Sequence, residues 1–140
     1  MIGGPSVHRV VNEIPIVTMG LTILLFAYGW LRDARAARVW AYAGFALAGG
    51  FSIVLAASGE HAAPAFAPHA SAAGFTAHRY LAGTALALTM LCLVLAVALD
   101  VLERNARFYR VAAPSLVVLS LITFLTMLAT AGAGKTTFGP

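Results

Sequence analysis

Polar residues divide this chain into four long apolar runs, at about 11–31, 39–57, 79–100 and 110–131. Each is close to the ~20 residues a helix needs to cross the hydrocarbon core of a bilayer. In lipid, every backbone N–H and C=O must be bonded within its own segment, which selects helices over isolated strands. The pattern therefore predicts an all-α fold: a four-transmembrane-helix, up-down bundle forming a single integral membrane domain over residues 1–140. Pro15 and Pro114 fall near the predicted starts of spans one and four, where a missing N–H costs least. Met1 to Ser6 holds no basic residue, and no small-residue cleavage site ends a short apolar core. The first run is thus expected to be kept as a span.

The connections differ sharply in charge. Arg32, Arg35 and Arg38 fall between runs one and two, and Arg104, Arg107 and Arg110 between runs three and four. These are six of the nine basic residues. The positive-inside rule puts both connections in the cytoplasm. Trp30, Trp40, Phe108 and Tyr109 flank them as interfacial aromatics. Both termini and the segment 58–78 then face the periplasm. The expected location is a bacterial inner membrane, crossed several times.

Composition agrees with that reading. Charged residues make up 10% of the chain, against ~25% in an average soluble domain. Mean hydropathy is +0.88, so the natural solvent is lipid. A net charge of +4 would suit nucleic acid, but the basic residues flank the spans and carry no interleaved polar readers. No nucleic-acid partner is expected. The lone Cys92 lies within an apolar run and has no second cysteine to pair with. It reads as a small packing residue.

Small residues point to close helix contacts. Gly44, Ala48, Ser52 and Ala56 recur every four residues in span two, with Gly49 and Gly50 beside them. Lipid gives no hydrophobic drive for helix association, so such a smooth stripe favours tight packing. The alternative is room for a flat cofactor such as haem or a quinone. Segment 58–78 is rich in Ala, Pro and Gly and reads as a long outer loop, either a tether or a cover over the bundle mouth.

Candidate chemistry collects on the outer side. His8 and Glu13 open span one, Glu60 and His61 close span two, His69 lies in the outer segment, and His78 opens span three. Antiparallel packing would bring His8, Glu13, His61 and His78 to one membrane surface as a candidate metal-ligand set. Neutral imidazole ligates zinc, copper and iron, and a carboxylate can orient it. His8 and His78 are the candidate pair for a haem b held between two spans. No tight metal motif such as HxxxH is present, and an interfacial ion pair with Arg9 or Arg79 is the plainer reading of Glu13. Asp100 and Glu103 sit beside Arg104 and Arg107 and read as ion pairs at the cytoplasmic surface. No acidic residue falls mid-span, which disfavours a proton pump or ion-coupled transporter.

Gly132-Ala133-Gly134-Lys135-Thr136 looks like the end of a phosphate-binding loop, but Ala129 stands where that motif needs its first glycine. The segment is expected to be a frayed tail.

The run His8-Arg9-Val10-Val11-Asn12-Glu13-Ile14-Pro15 resembles the opening of the bacterial membrane domain-of-unknown-function family 2231, which typically reads His-Pro-x-x-x-His-Phe-Pro. His8 and Pro15 match; Arg9 and Glu13 replace a proline and a second histidine. Ser58-Gly59-Glu60 and His78 resemble that family's end of helix two and start of helix three. The resemblance implies a four-helix membrane protein associated with respiratory or redox proteins. It also implies that Glu13, in place of a histidine, would suit a metal better than a low-spin haem.

The expected function is a non-catalytic integral membrane subunit linked to a respiratory or redox membrane complex, with a haem or metal site at the periplasmic mouth. The alternative is a purely structural accessory subunit, and a small transporter or channel stands third. No nucleophile, base and oxyanion set suggests an enzyme. Expected partners are the lipid bilayer and either other membrane subunits or further copies of the chain.

Overall fold

A computed structural model describes residues 5–66, 71–103 and 105–138, with side chains over 13–59, 71–103 and 105–134. Four helices account for nearly all of it: α1 Pro5–Leu31, α2 Arg35–Phe66, α3 Ala72–Val101 and α4 Ala106–Phe138. Each contains a stretch long and apolar enough to cross a membrane. The chain is thus all-α, with the character of a multi-pass membrane protein. Each helix packs on two neighbours, α1 on α2 and α4, and α3 on α2 and α4.

The helices run beyond the apolar stretches. At ~1.5 Å per residue, a helix of 30 residues is about 45 Å long, well past a ~30 Å hydrocarbon core. Hydropathy reports the part that suits lipid and not where the helix stops. The long loop expected over 58–78 is therefore corrected. Helix α2 continues to Phe66, and α3 begins at Ala72, capped by Ser71, whose Oγ accepts from the Gly74 N–H at 3.1 Å. Alanine, frequent here, is the strongest helix former. The expected frayed tail is corrected likewise, since α4 stays helical to Phe138. Pro15 and Pro114 consequently lie inside α1 and α4 rather than in their first turns. Each leaves the carbonyl four residues earlier without its usual helical donor.

The turn between α1 and α2 needs only residues 32–34. The Ala34 N–H donates to the Gly29 carbonyl at 2.9 Å while Asp33 takes a left-handed backbone, φ 50°. That pattern satisfies the last carbonyls of a helix in a Schellman-type stop. Between α3 and α4, Asn105 caps the next helix by accepting from the Phe108 N–H at 3.1 Å.

The interior is built from small and hydroxyl-bearing residues around a few large ones. Met19, Phe26, Phe45, Leu99 and Leu116 are fully buried, along with Ala41, Ala48, Cys92, Ala96 and Ala113. Thr22, Thr89, Ser120 and Thr123 are buried too, and each hydroxyl donates to a carbonyl of its own helix. The outward positions hold Val17, Leu24, Ile53, Val94 and Leu125. A soluble bundle shows the reverse arrangement. Here small residues let backbones approach, and the bulky apolar side chains face outward, as lipid requires.

The stripe on α2 shows this directly. A Cβ placed on Gly44 would run into the Thr22 side chain of α1, and one on Gly49 would stand 3.1 Å from Met90 Cε of α3. Thr22 fills the space that Gly44 opens, so at this level the stripe serves the contact between α1 and α2. Cys92 is buried with Sγ 3.4 Å from Thr123 Oγ1, a packing contact between α3 and α4.

Candidate functional site

The described charged residues gather at both ends of the bundle, and the denser cluster is at the arginine-rich end. Arg38, in the first turn of α2, is buried. Its Nη1 donates to the Gly29 carbonyl at 3.1 Å and to Asp33 Oδ1 at 2.8 Å, and its Nη2 donates to Glu103 Oε1 at 2.6 Å. Arg35 Nε lies 3.7 Å from the other oxygen of Glu103. The guanidinium also stands 5.7 Å from the Tyr109 ring centroid, a cation–π contact. One side chain thus joins the end of α1, the start of α2, the end of α3 and the start of α4.

Local sequence explains the approach. Gly29 is required because a Cβ there would meet Arg38 Cγ at 2.8 Å and Arg38 N at 2.9 Å. The left-handed turn at Asp33 then aims its carboxylate back at the same guanidinium. The cluster forms a polar pocket lined by Asp33, Arg38, Glu103, Ala106, Tyr109 and Arg110. Three buried polar atoms remain without a hydrogen-bond partner among the described residues: Arg38 Nε, Tyr42 Oη and Tyr109 Oη.

Two expectations are corrected here. Arg38 is not a membrane-flanking anchor, since its side chain is only 7% exposed. Glu103 turns inward, and its partners among the described arginines are Arg38 and Arg35 rather than Arg107. The signal that would have singled out Arg38 is its register. Arg38, Ala41, Phe45 and Ala48 follow one helical row, and all four are buried.

At the opposite end the predicted site is described only in part. The side chains of His8, Glu60, His61 and His69 lie outside the described residues, and with them the His8–His78 pair and the four-residue metal set. Glu13 is exposed in the N-terminal part of α1. His78 is half-buried, and its Nδ1 lies 3.2 Å from the Thr130 carbonyl. A carbonyl only accepts, so Nδ1 carries the proton. In the neutral ring the remaining lone pair is then on Nε2, the arrangement metal-binding histidines share. The ring also packs beside Gly134, where a Cβ would stand 3.2 Å from Cε1. His78 therefore ties α3 to α4 at the end of the bundle away from the arginine cluster. Among the described residues, no three His, Cys, Asp or Glu side chains come together as a metal-binding group. They do not by themselves compose a metal centre.

Comparison of the chain with family models, with curated proteins and with solved structures finds no match.

Proposed function

We propose that the chain is a non-catalytic integral membrane subunit, a small scaffold that presents an apolar exterior to lipid and to neighbouring subunits. The observation that carries this reading is the inverted distribution of residues. Alanine, threonine and serine line much of the interior around a few large apolar side chains, while valine, leucine and isoleucine cover the outside. The polar residue most deeply placed at the arginine-rich end, Arg38, is occupied in fastening four helix ends together. The arginine-bearing turns lie at one end of the bundle, which supports a cytoplasmic position for them and a periplasmic one for both termini in a bacterial inner membrane.

The redox setting is the second part of the reading. It rests on the resemblance to domain-of-unknown-function family 2231 at His8, Pro15, Ser58-Gly59-Glu60 and His78. One structural observation favours it: the Thr130 carbonyl orients His78 as it would a ligand histidine. His8 and His78 are the pair that would hold a haem b, and His8, Glu13, His61 and His78 the set that would hold a metal ion. A bound haem would supply one-electron chemistry at the periplasmic surface.

Extraction of native membranes in mild detergent tests both parts. The subunit reading expects other membrane proteins to co-purify in fixed ratio; a chain that purifies alone contradicts it. The cofactor reading expects a Soret band or a stoichiometric metal. Preparations replete in haem and metals that show neither contradict it.

A further inference from the structure

An apolar groove runs along the outer face of the α3–α4 seam, lined between Leu91 and Ala98 on α3 and between Phe108 and Ile122 on α4. It exists because Ala98 and Ser115 are small where Leu95, Phe108 and Leu119 are large. Ser115 is the one polar lining residue, and its hydroxyl already donates to the Val111 carbonyl at 2.8 Å. Nothing in the groove asks for a polar occupant.

Two observations identify the occupant. The first is shape. Phe108 to Ile122 spans fourteen helical steps, about 21 Å, somewhat more than one leaflet of a ~30 Å hydrocarbon core. A second helix would need small residues to approach closely, yet the rims carry Leu91, Val94, Val118 and Ile122, all exposed. The groove suits a single flexible hydrocarbon chain better than a helix.

The second is charge at the mouth. Arg107, Val111, Pro114 and Val118 follow one row on α4, so an exposed arginine stands at the end of the groove wall. The first turn of α4 holds no acidic residue. The acids nearby point elsewhere: Glu103 turns inward to Arg38, and Asp100 lies about 200° around α3 from Ala98. The mouth is therefore cationic where the groove is apolar.

We propose that this groove binds one acyl chain of an anionic phospholipid, with the headgroup phosphate held by Arg107. The proposal rests on the chain spanning a membrane, which alkaline carbonate extraction reads separately. A basic residue beside an anionic surface supports a preference of about five-fold.

Native mass spectrometry of the full chain, released from micelles doped equally with phosphatidylglycerol and phosphatidylcholine of identical chains, tests it. Phosphatidylglycerol should be retained about five-fold over phosphatidylcholine. Arg107→Gln should bring that ratio to about one without changing elution or helicity. Ser115→Leu, which fills the groove, should lower retention of both lipids; if it fails to fold, Ala98→Val serves the same purpose. Equal retention by the unaltered chain, or a preference that survives Arg107→Gln, overturns the proposal. So does a groove-filling variant that changes only the oligomeric state, since a second copy would then be the occupant.

Discussion

Arg38 at the start of α2 and Glu103 at the end of α3 meet at 2.6 Å, although 65 residues separate them in sequence. The arginine side chain is 7% exposed and the glutamate 29%. Removing Arg38 leaves Glu103 only the longer contact with Arg35 at 3.7 Å, so much of its desolvation is no longer offset, which costs more than the pair itself contributes. Arg38→Met should therefore lower stability in detergent by about 3 kcal/mol, at the low end for a buried pair because Glu103 keeps some solvent. Adding Glu103→Leu should recover part of that loss. A double-mutant cycle on thermal unfolding checks this, and strict additivity would show that the two residues are not coupled.

Gly44 and Gly50 lie six residues apart on α2, yet their surroundings differ. A methyl on Gly44 meets the β-branched Thr22 side chain, while a methyl on Gly50 meets nothing within 4 Å. Gly44→Ala should destabilise by about 1–3 kcal/mol through overpacking. Gly50→Ala should be neutral or stabilise by up to about 1 kcal/mol through helix propensity. Similar unfolding temperatures for the two variants would mean that α1 and α2 do not touch at Thr22.

Asp33 has φ 50° in the turn between α1 and α2. Asp33→Gly and Asp33→Val both remove the carboxylate that Arg38 binds, but only valine meets the left-handed backbone penalty. The valine variant should be less stable than the glycine variant by about 1 kcal/mol. Equal stabilities would indicate a turn of different conformation.

The four spans, their helical character and the grouping of arginines into two turns were legible in the sequence, because lipid imposes a plain pattern of apolar length and flanking charge. Helix ends were not, since hydropathy is silent on an alanine-rich helix continuing past its apolar stretch, as α2 does to Phe66. The Arg38 cluster was missed for a different reason. Arg32, Arg35 and Arg38 look alike in composition, and only register separates them: Arg38 alone continues the buried row of Ala41, Phe45 and Ala48. Its partners come from turns that fold back from opposite ends of the sequence. At the histidine end the sequence put His78 at the opening of a helix, whereas α3 begins six residues earlier at Ala72 and His78 lies inside it. Its contact with Thr130, 52 residues later, depends on the pairing of α3 with α4.

His78→Phe keeps a ring beside Gly134 and removes the donor to the Thr130 carbonyl. It should weaken α3–α4 association by about 1 kcal/mol, the usual net value of one hydrogen bond. Unfolding midpoints in detergent report this. An unchanged midpoint would leave His78 without a fastening role.

Single-cysteine labelling in intact cells, in a Cys92→Ala background, tests the membrane bundle most directly. Cysteines placed at Ala36 and Asn105, in or beside the two arginine-bearing turns, should be protected from a membrane-impermeant maleimide until the membrane is opened. A cysteine at Ser71, at the other end of the bundle, should react in intact cells. Labelling of all three positions from the same side would contradict the account of four spanning helices with both termini periplasmic.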